Sequence, residues 1–254
     1  MSRAVLTMVY NESVFLPIWL RYYSRHFAPE DIYVLDHRSD DGSTNGGGFV
    51  RVLLEHETND DRYRVQVCET QQRELLERYD VVLTTDVDEI VAPDPRRGTL
   101  ADYIEGFSEE FVNCTGYELL HLKDAEPPLA LDRPIFEQRR HWYRNPGYDK
   151  PLLATVPLSW VPGFHTVVGN RRNPDPGLRL IHLHRMDYGI CLARHRARQA
   201  RDFDPDDVET GRGYHNRIVE EADFERWFYE DSCFEMMGIH IDTEEIPEEW
   251  RGLV

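Results

Sequence analysis

Residues 79–89 read Tyr79-Asp-Val-Val-Leu-Thr-Thr-Asp-Val-Asp-Glu89. A short unbroken apolar run that ends in acidic residues is the pattern of a strand buried on both faces, as in parallel sheets sandwiched between helices. Similar runs stand at residues 4–9 (Ala-Val-Leu-Thr-Met-Val) and 31–36 (Asp-Ile-Tyr-Val-Leu-Asp). Between them, residues 14–27 carry Phe15, Ile18, Trp19, Tyr22 and Tyr23 at helical spacing, with Pro17 tolerated in the first turn. The same reading predicts a loop at 39–43, helices at 49–57 and 71–78, and a strand at 63–67. Strand–helix alternation predicts an α/β fold, a mostly parallel sheet with crossover helices on its faces. Ligands of such sheets bind at the carboxyl ends of the strands. Three polar clusters lie there: Tyr10-Asn11-Glu12, Asp36 to Ser43, and Asp86 to Glu89.

Past Pro93 the pattern becomes irregular, broken by nine prolines between 127 and 176. A strand is predicted at 178–183, a basic helix at 192–202, a short helix at 224–228 and an acidic, surface-lying stretch at 242–249. The 254 residues are 41% hydrophobic and 11% aromatic, enough for a core, which excludes wholesale disorder. A net charge of −18 argues against general nucleic-acid binding. The charge is uneven: residues 133–201 hold 13 Lys+Arg against four acidic residues, with five of the 11 histidines. A basic, His-bearing stretch in an acidic chain suggests a local anion site, and a solvated Arg-rich face is the plain alternative. Cys68, Cys114, Cys191 and Cys233 are scattered, with no C-x-x-C pair, and read as reduced thiols. No signal-like or membrane-spanning apolar segment is apparent, so a cytoplasmic location is expected.

Asp86-x-Asp88, at the end of a strand, offers hard oxygen ligands for Mg²⁺ or Mn²⁺. His182-x-His184 on a strand directs both imidazoles to one face, as metal ligands or as a hydrogen-bonded pair. His165 is a third candidate. The loop from Asp36 through Ser39, Asp41 and Gly42 suits hydrogen bonding to ribose and base, and equally an Asx or Ser turn. Lys150, one of two lysines, lies in the basic stretch and would neutralise a phosphate or simply be solvated. Phosphate-binding G-x-x-x-x-G-K-[ST] and G-x-G-x-x-G loops are absent, as are G-x-S-x-G and H-E-x-x-H, which weakens serine-hydrolase and zinc-protease readings.

In ordered succession these pieces resemble glycosyltransferases of the GT-A fold, in particular family 2 and its relatives in family 92. The resemblance rests on Val9-Tyr-Asn-Glu12, Val34-Leu-Asp-His-Arg-Ser-Asp-Asp-Gly-Ser43, Leu83-Thr-Thr-Asp-Val-Asp-Glu-Ile-Val91, Tyr148-Asp-Lys-Pro151, Gly163-Phe-His165 and Ile181-His-Leu-His184. It spans residues 3–200 and is most specific in the first ninety. It implies a nucleotide-sugar donor, a UDP-sugar favoured, a hydroxyl acceptor, inversion at the anomeric carbon, and Mn²⁺ or Mg²⁺. By the same resemblance Tyr10, Asn11 and Glu12 hold base and ribose, and Asp36 contacts the nucleobase, with Ser39, Asp41 and Gly42 in the same loop. Asp86 touches ribose or metal, Asp88 binds the metal with His184 or its rival His182, and Lys150 faces the diphosphate.

Three segments follow: residues 1–95 as the nucleotide-sugar half, 96–205 as the acceptor-binding, metal-completing half, and 206–254 as a helical, acidic extension. The loop Asp-His-Arg-Ser-Asp-Asp-Gly-Ser points to the family 92-like branch. No Glu-Asp pair supplies an obvious base, and the Q-x-x-R-W motif of processive synthases is missing. Glu118, Asp187 and His165 are the candidate bases. Trp142, Tyr143, Trp160 and Phe164 are candidates for stacking on a sugar, against core packing. The rival readings are a metal-dependent nucleotidyltransferase or phosphodiesterase, and a non-catalytic nucleotide-sugar-binding module.

Overall fold

The structure is a computed structural model that describes residues 1–230 and 242–254. In chain order its elements are β1 (Arg3–Val9), α1 (Phe15–Tyr23), β2 (Ile32–Asp36), β3 (Val50–Leu53), α2 (Asp61–Leu76), β4 (Val81–Thr84), β5 (Glu89–Pro93) and α3 (Leu100–Glu105). There follow β6 (Phe111–Leu120), α4 (Ile135–Gln138), β7 (His141–Arg144), β8 (Pro151–Ala154), β9 (Pro174–His182), α5 (Tyr188–Gln199), α6 (Pro205–Glu209), α7 (Glu221–Tyr229) and β10 (Thr243–Glu245).

The strands join one sheet in the order β10-β7-β6-β8-β4-β1-β2-β3, with β9 paired to β5 and β6 off this path. β3, β2, β1 and β4 run parallel, β1 opposing Ile32 of β2 and Leu83 of β4 through Val5. β8 lies antiparallel to β4 and leads into a largely antiparallel second half.

Alternate residues of these apolar runs serve opposite faces. Val5, Val9, Val34, Val81 and Leu83 pack with Phe15, Leu16, Trp19 and Tyr23 of α1. Ala4, Leu6, Tyr33, Leu35 and Val82 pack with Val65, Cys68 and Leu75 of α2. The expected α/β fold, with helices on both faces, is thereby present. Among the described residues no helix is long and apolar enough to cross a membrane.

Two local expectations are corrected. Residues 49–57 are not a helix: residues 50–53 form β3, whose backbone is recruited by pairing with β2, leaving Leu53 56% exposed at the sheet edge. Residues 63–67 are not a strand but the first turns of α2. The Asp60 side chain accepts from the Arg62 and Tyr63 amides, and Val65, Cys68, Gln72 and Leu75 form its buried stripe. A five-residue window is too short to reveal that stripe. The predicted strand 178–183 and helix 192–202 overlap β9 and α5, each running past the end of its element, and the helix at 224–228 lies within α7. Residues 242–249 are only partly surface-lying. Thr243–Glu245 are exposed and paired with β7, but Ile246 and Trp250 are buried in the main core, and Val254 O accepts from Ile135 N. Cys68, Cys114 and Cys191 are buried free thiols, and Cys233 lies outside the described residues.

The register of the second half positions the chemistry. His182 of β9 stands opposite Glu89 of antiparallel β5 and opposite Glu118 of parallel β6. Leu183 N donates to Asp88 O at 2.7 Å. One row of the sheet therefore carries Glu118, His182 and Glu89, with Asp88 beside it.

Candidate functional site

A cavity of about 450 Å³ opens at the carboxyl ends of β1 and β4. Its wall includes Asp86, Asp88, Glu118, Lys150, His165, His182 and His184, together with Arg64 of α2, Arg194 and Arg198 of α5, and Tyr214 to Asn216. Gly116 of β6 permits this packing. A β-carbon there would come within 2.5 Å of Tyr148 Cβ and 2.6 Å of Asn145 O.

Asp88, His182 and His184 each offer a ligand atom, all within 4.8 Å of one another. The imidazoles stack with centroids 5.5 Å apart and planes 8° from parallel. His182 Nδ1 meets Glu118 Oε1 at 2.9 Å, and its Nε2 lies 3.6 Å from Asp88 Oδ2. His184 Nδ1 is 3.2 Å from the same Asp88 oxygen. Arg194 completes the cluster by pairing with Asp88 and donating from Nε to Glu12 Oε1 at 2.8 Å.

Burial acts to raise the Asp88 pKa, but Arg194 and then the two imidazoles hold its carboxyl well below the usual range. Burial alone would lower the His182 pKa; Glu118 and Asp88 push it up to about 10. His184 is held well below its usual value by burial, with Arg194 acting in the same direction. One carboxylate oxygen and two imidazole nitrogens facing a cavity fit a divalent ion of the first transition row, whose binding would displace the proton from His182. In the other acidic group within ligand range among the described residues, Asp204, Asp206 and Asp207, Asp206 pairs with Arg62 and Arg212 and Asp207 with Arg212.

The structure separates the two aspartates of the D-x-D. Asp86 stands apart from the trio, accepting from Lys150 Nζ at 2.8 Å and facing Arg64 Nη2 at 3.3 Å. Burial opposes its ionisation, yet Lys150 and Arg64 bring its pKa down to about 2. Lys150 lines the cavity, but its buried ammonium is held between Asp86 and Glu89 Oε1, the latter at 2.6 Å.

A second hollow adjoins the first and shares Met8, Arg64, Arg198 and Asn216 with it. Tyr10, Glu12, His37 and Arg201 line it, the Arg201 guanidinium lying 4.0 Å from the Tyr10 ring centre. Glu12 is fixed by Arg194 and Arg198. Asn11, at φ 53°, accepts through Oδ1 from the Asp40 and Asp41 amides and donates from its own amide to Ser39 Oγ, joining the loops after β1 and β2.

Asp36 lines neither hollow. It is fully buried and accepts from Ser39 N, Thr44 Oγ1 and Arg51 Nε at 2.7–2.8 Å. Ser39, Asp41 and Gly42 lie in the loop it organises, Asp41 holding Ser43 and Gly42 turning at φ 80°.

Of the three candidate bases, Glu118 and His165 line the cavity and Asp187 does not. Asp187 caps α5 through Ile190 N and pairs with buried Arg139 at 2.9 Å. His165 Nδ1 lies 2.5 Å from Gly147 O, and burial and Lys150 lower its pKa to about 4. Tyr143 and Phe164 also line the cavity, whereas Trp142 and Trp160 are core residues.

Sequence reading missed Arg64, Arg194, Arg198 and Arg201. The last three recur at i, i+4 and i+7, a one-faced helical stripe that the count of basic residues concealed. Arg64 had no such signal, because its segment was read as a strand.

No family model matches the chain, and no curated protein does. Among solved structures the chain is similar to a mannose-1-phosphate geranyltransferase from Thermus thermophilus, at 11% identity and a TM-score of 0.33. The match covers 77% of this chain and 61% of that one, so the chain spans about three fifths of its neighbour's length. A likeness this loose adds nothing to the reading of the site.

Proposed function

We propose that the chain is a metal-dependent glycosyltransferase that moves a sugar from a nucleoside-diphosphate sugar, a UDP-sugar favoured, to a hydroxyl acceptor with inversion. The observation that carries this reading is the Asp88–His182–His184 trio facing a cavity that shares Arg64 and Arg198 with the adjoining hollow lined by Tyr10 and Arg201. A donor has the same sequence of parts: an aromatic base, a diphosphate and a sugar. In this reading Tyr10 and Arg201 receive the nucleoside, with Asp36 and Asn11 holding the supporting loops. Arg64 and Arg198 face the diphosphate, and residues 96–205 supply the acceptor side.

Asp88, His182 and His184 would hold the ion, and a mixed oxygen and imidazole set favours Mn²⁺ over Mg²⁺. When bound, a divalent ion supplies positive charge to the departing diphosphate. His165 takes the acceptor's proton: its Nδ1 is committed to the Gly147 carbonyl, which leaves Nε2 as the basic nitrogen.

The test is incubation with a panel of UDP-sugars and saccharide acceptors with and without Mn²⁺, with UDP and pyrophosphate both quantified. UDP release that needs Mn²⁺ and falls in Asp88→Asn supports the reading. Pyrophosphate release would replace it with nucleotidyl transfer, and metal-dependent UDP binding without turnover would leave a binding module.

A further inference from the structure

We propose that Glu118 is a positioning residue that orients His182 toward a divalent ion, and not the group that removes the acceptor's proton. The inference rests on reading Asp88, His182 and His184 as a metal site. Glu118 and His182 are register partners on parallel strands β6 and β9, so their side chains emerge on the same side of the sheet. Glu118 Oε1 accepts from His182 Nδ1 at 2.9 Å, and Asn145 Nδ2 donates to Oε2 at 3.5 Å. Both carboxylate oxygens are thus engaged, in a residue only 3% exposed.

The ring it holds is confined on its faces as well. Tyr148 packs with its centroid 4.1 Å away, and His184 stacks at 5.5 Å. With Nδ1 occupied, Nε2 is the nitrogen that remains for a ligand, and it is the one directed at Asp88 Oδ2. A carboxylate on the far nitrogen of a metal-bound imidazole fixes its tautomer and orientation and raises its donor strength. A base must instead keep an oxygen within reach of the acceptor hydroxyl.

The experiment titrates the full-length chain with Mn²⁺ alone, by calorimetry and by loss of the free-ion electron paramagnetic resonance signal. Thermal unfolding without metal and turnover are measured in parallel. Glu118→Ala is expected to lose about 10–100-fold in Mn²⁺ affinity. Glu118→Gln, whose amide oxygen still accepts from Nδ1–H, should keep affinity and turnover within several-fold. Should Glu118→Ala fail to fold, Glu118→Asp, shorter by one methylene, should show the same loss of affinity. Unchanged Mn²⁺ affinity in the folded Ala or Asp variant overturns the positioning role while leaving the metal site intact. So does a Gln variant with intact affinity and turnover reduced by about 10²–10⁴-fold, the mark of a general base. If the unmodified chain binds no Mn²⁺, this inference and the metal-dependent function fall together.

Discussion

Arg194→Met tests the electrostatic centre of the site. Arg194 is 8% exposed and pairs with Asp88 and Glu12, which are 5% and 3% exposed. Methionine keeps much of the aliphatic stem but removes the charge, together with the guanidinium whose carbon lies 4.2 Å from the Phe15 ring centre. Arg198 remains on Glu12, so Asp88 is the group that loses its strongest partner, left with the His184 imidazole and with His182, whose positive charge it shares with Glu118. Removing one partner of a buried ion pair costs about 3–5 kcal/mol, because the other charge stays buried. For a chain of this size that is a fall in Tm of about 6–20 °C.

Differential scanning calorimetry in metal-free buffer reads the fall. Adding Asp88→Asn to Arg194→Met should recover part of it, since the stranded charge is then gone. Mn²⁺ should raise the Tm of the Arg194→Met variant more than that of the parent, because a bound cation takes over the neutralisation of Asp88. An unchanged metal-free Tm would refute the reasoning. So would a double variant less stable than the single by the full cost of Asp88→Asn alone, which would show the two residues to be uncoupled.

Gly116→Ala should destabilise the fold by about 1–3 kcal/mol, since the new methyl meets backbone at Asn145 and Tyr148; urea unfolding measures it, and Mn²⁺ affinity should fall with it. Arg201→Ala removes the cation lying over Tyr10 and should weaken UDP binding by about 2–30-fold, corresponding to roughly 0.5–2 kcal/mol, as read by calorimetry. Asp36→Asn probes the loop after β2. Burial raises the Asp36 pKa, but hydrogen bonds from Ser39, Thr44 and Arg51 more than offset it, so the folded value lies below 3.8. A depressed carboxylate contributes stability that is full above the unfolded pKa and lost as pH falls through the folded one. The stability gap between parent and Asp36→Asn should therefore be constant from neutral pH down to about 5 and shrink below about 4, in acid titrations followed by circular dichroism.

The strands of the first ninety residues were legible because both of their faces are buried, which demands unbroken apolar runs such as Ala4 to Val9 and Val81 to Leu83. Helix α1 was legible for a related reason, its five aromatic and aliphatic residues repeating at a single period. β3 and the start of α2 were not. Val50 to Leu53 becomes a strand because β2 offers an edge to pair with, and Tyr63 to Val67 turns helical from a cap at Asp60, three residues upstream. The first decision lies outside any short window, and the second needs one wider than the five residues from Tyr63 to Val67.

The site divides in the same way. Asp88, His182 and His184 were candidates from sequence because a strand end and a His-x-His alternation are local facts. Asp86 and Lys150 were candidates too, yet only the packing shows Lys150 held between Asp86 and Glu89, away from the trio. Local residue order determined the layered α/β plan, the parallel half of the sheet and the polar clusters at its carboxyl edge, since backbone periodicity and burial act over a few residues. Tertiary structure alone decided which charges neutralise which. The pairs Arg194–Asp88, Arg194–Glu12 and Glu118–His182 join residues 64 to 182 positions apart, and a Coulomb interaction or hydrogen bond depends on distance in space, which the order of residues does not specify.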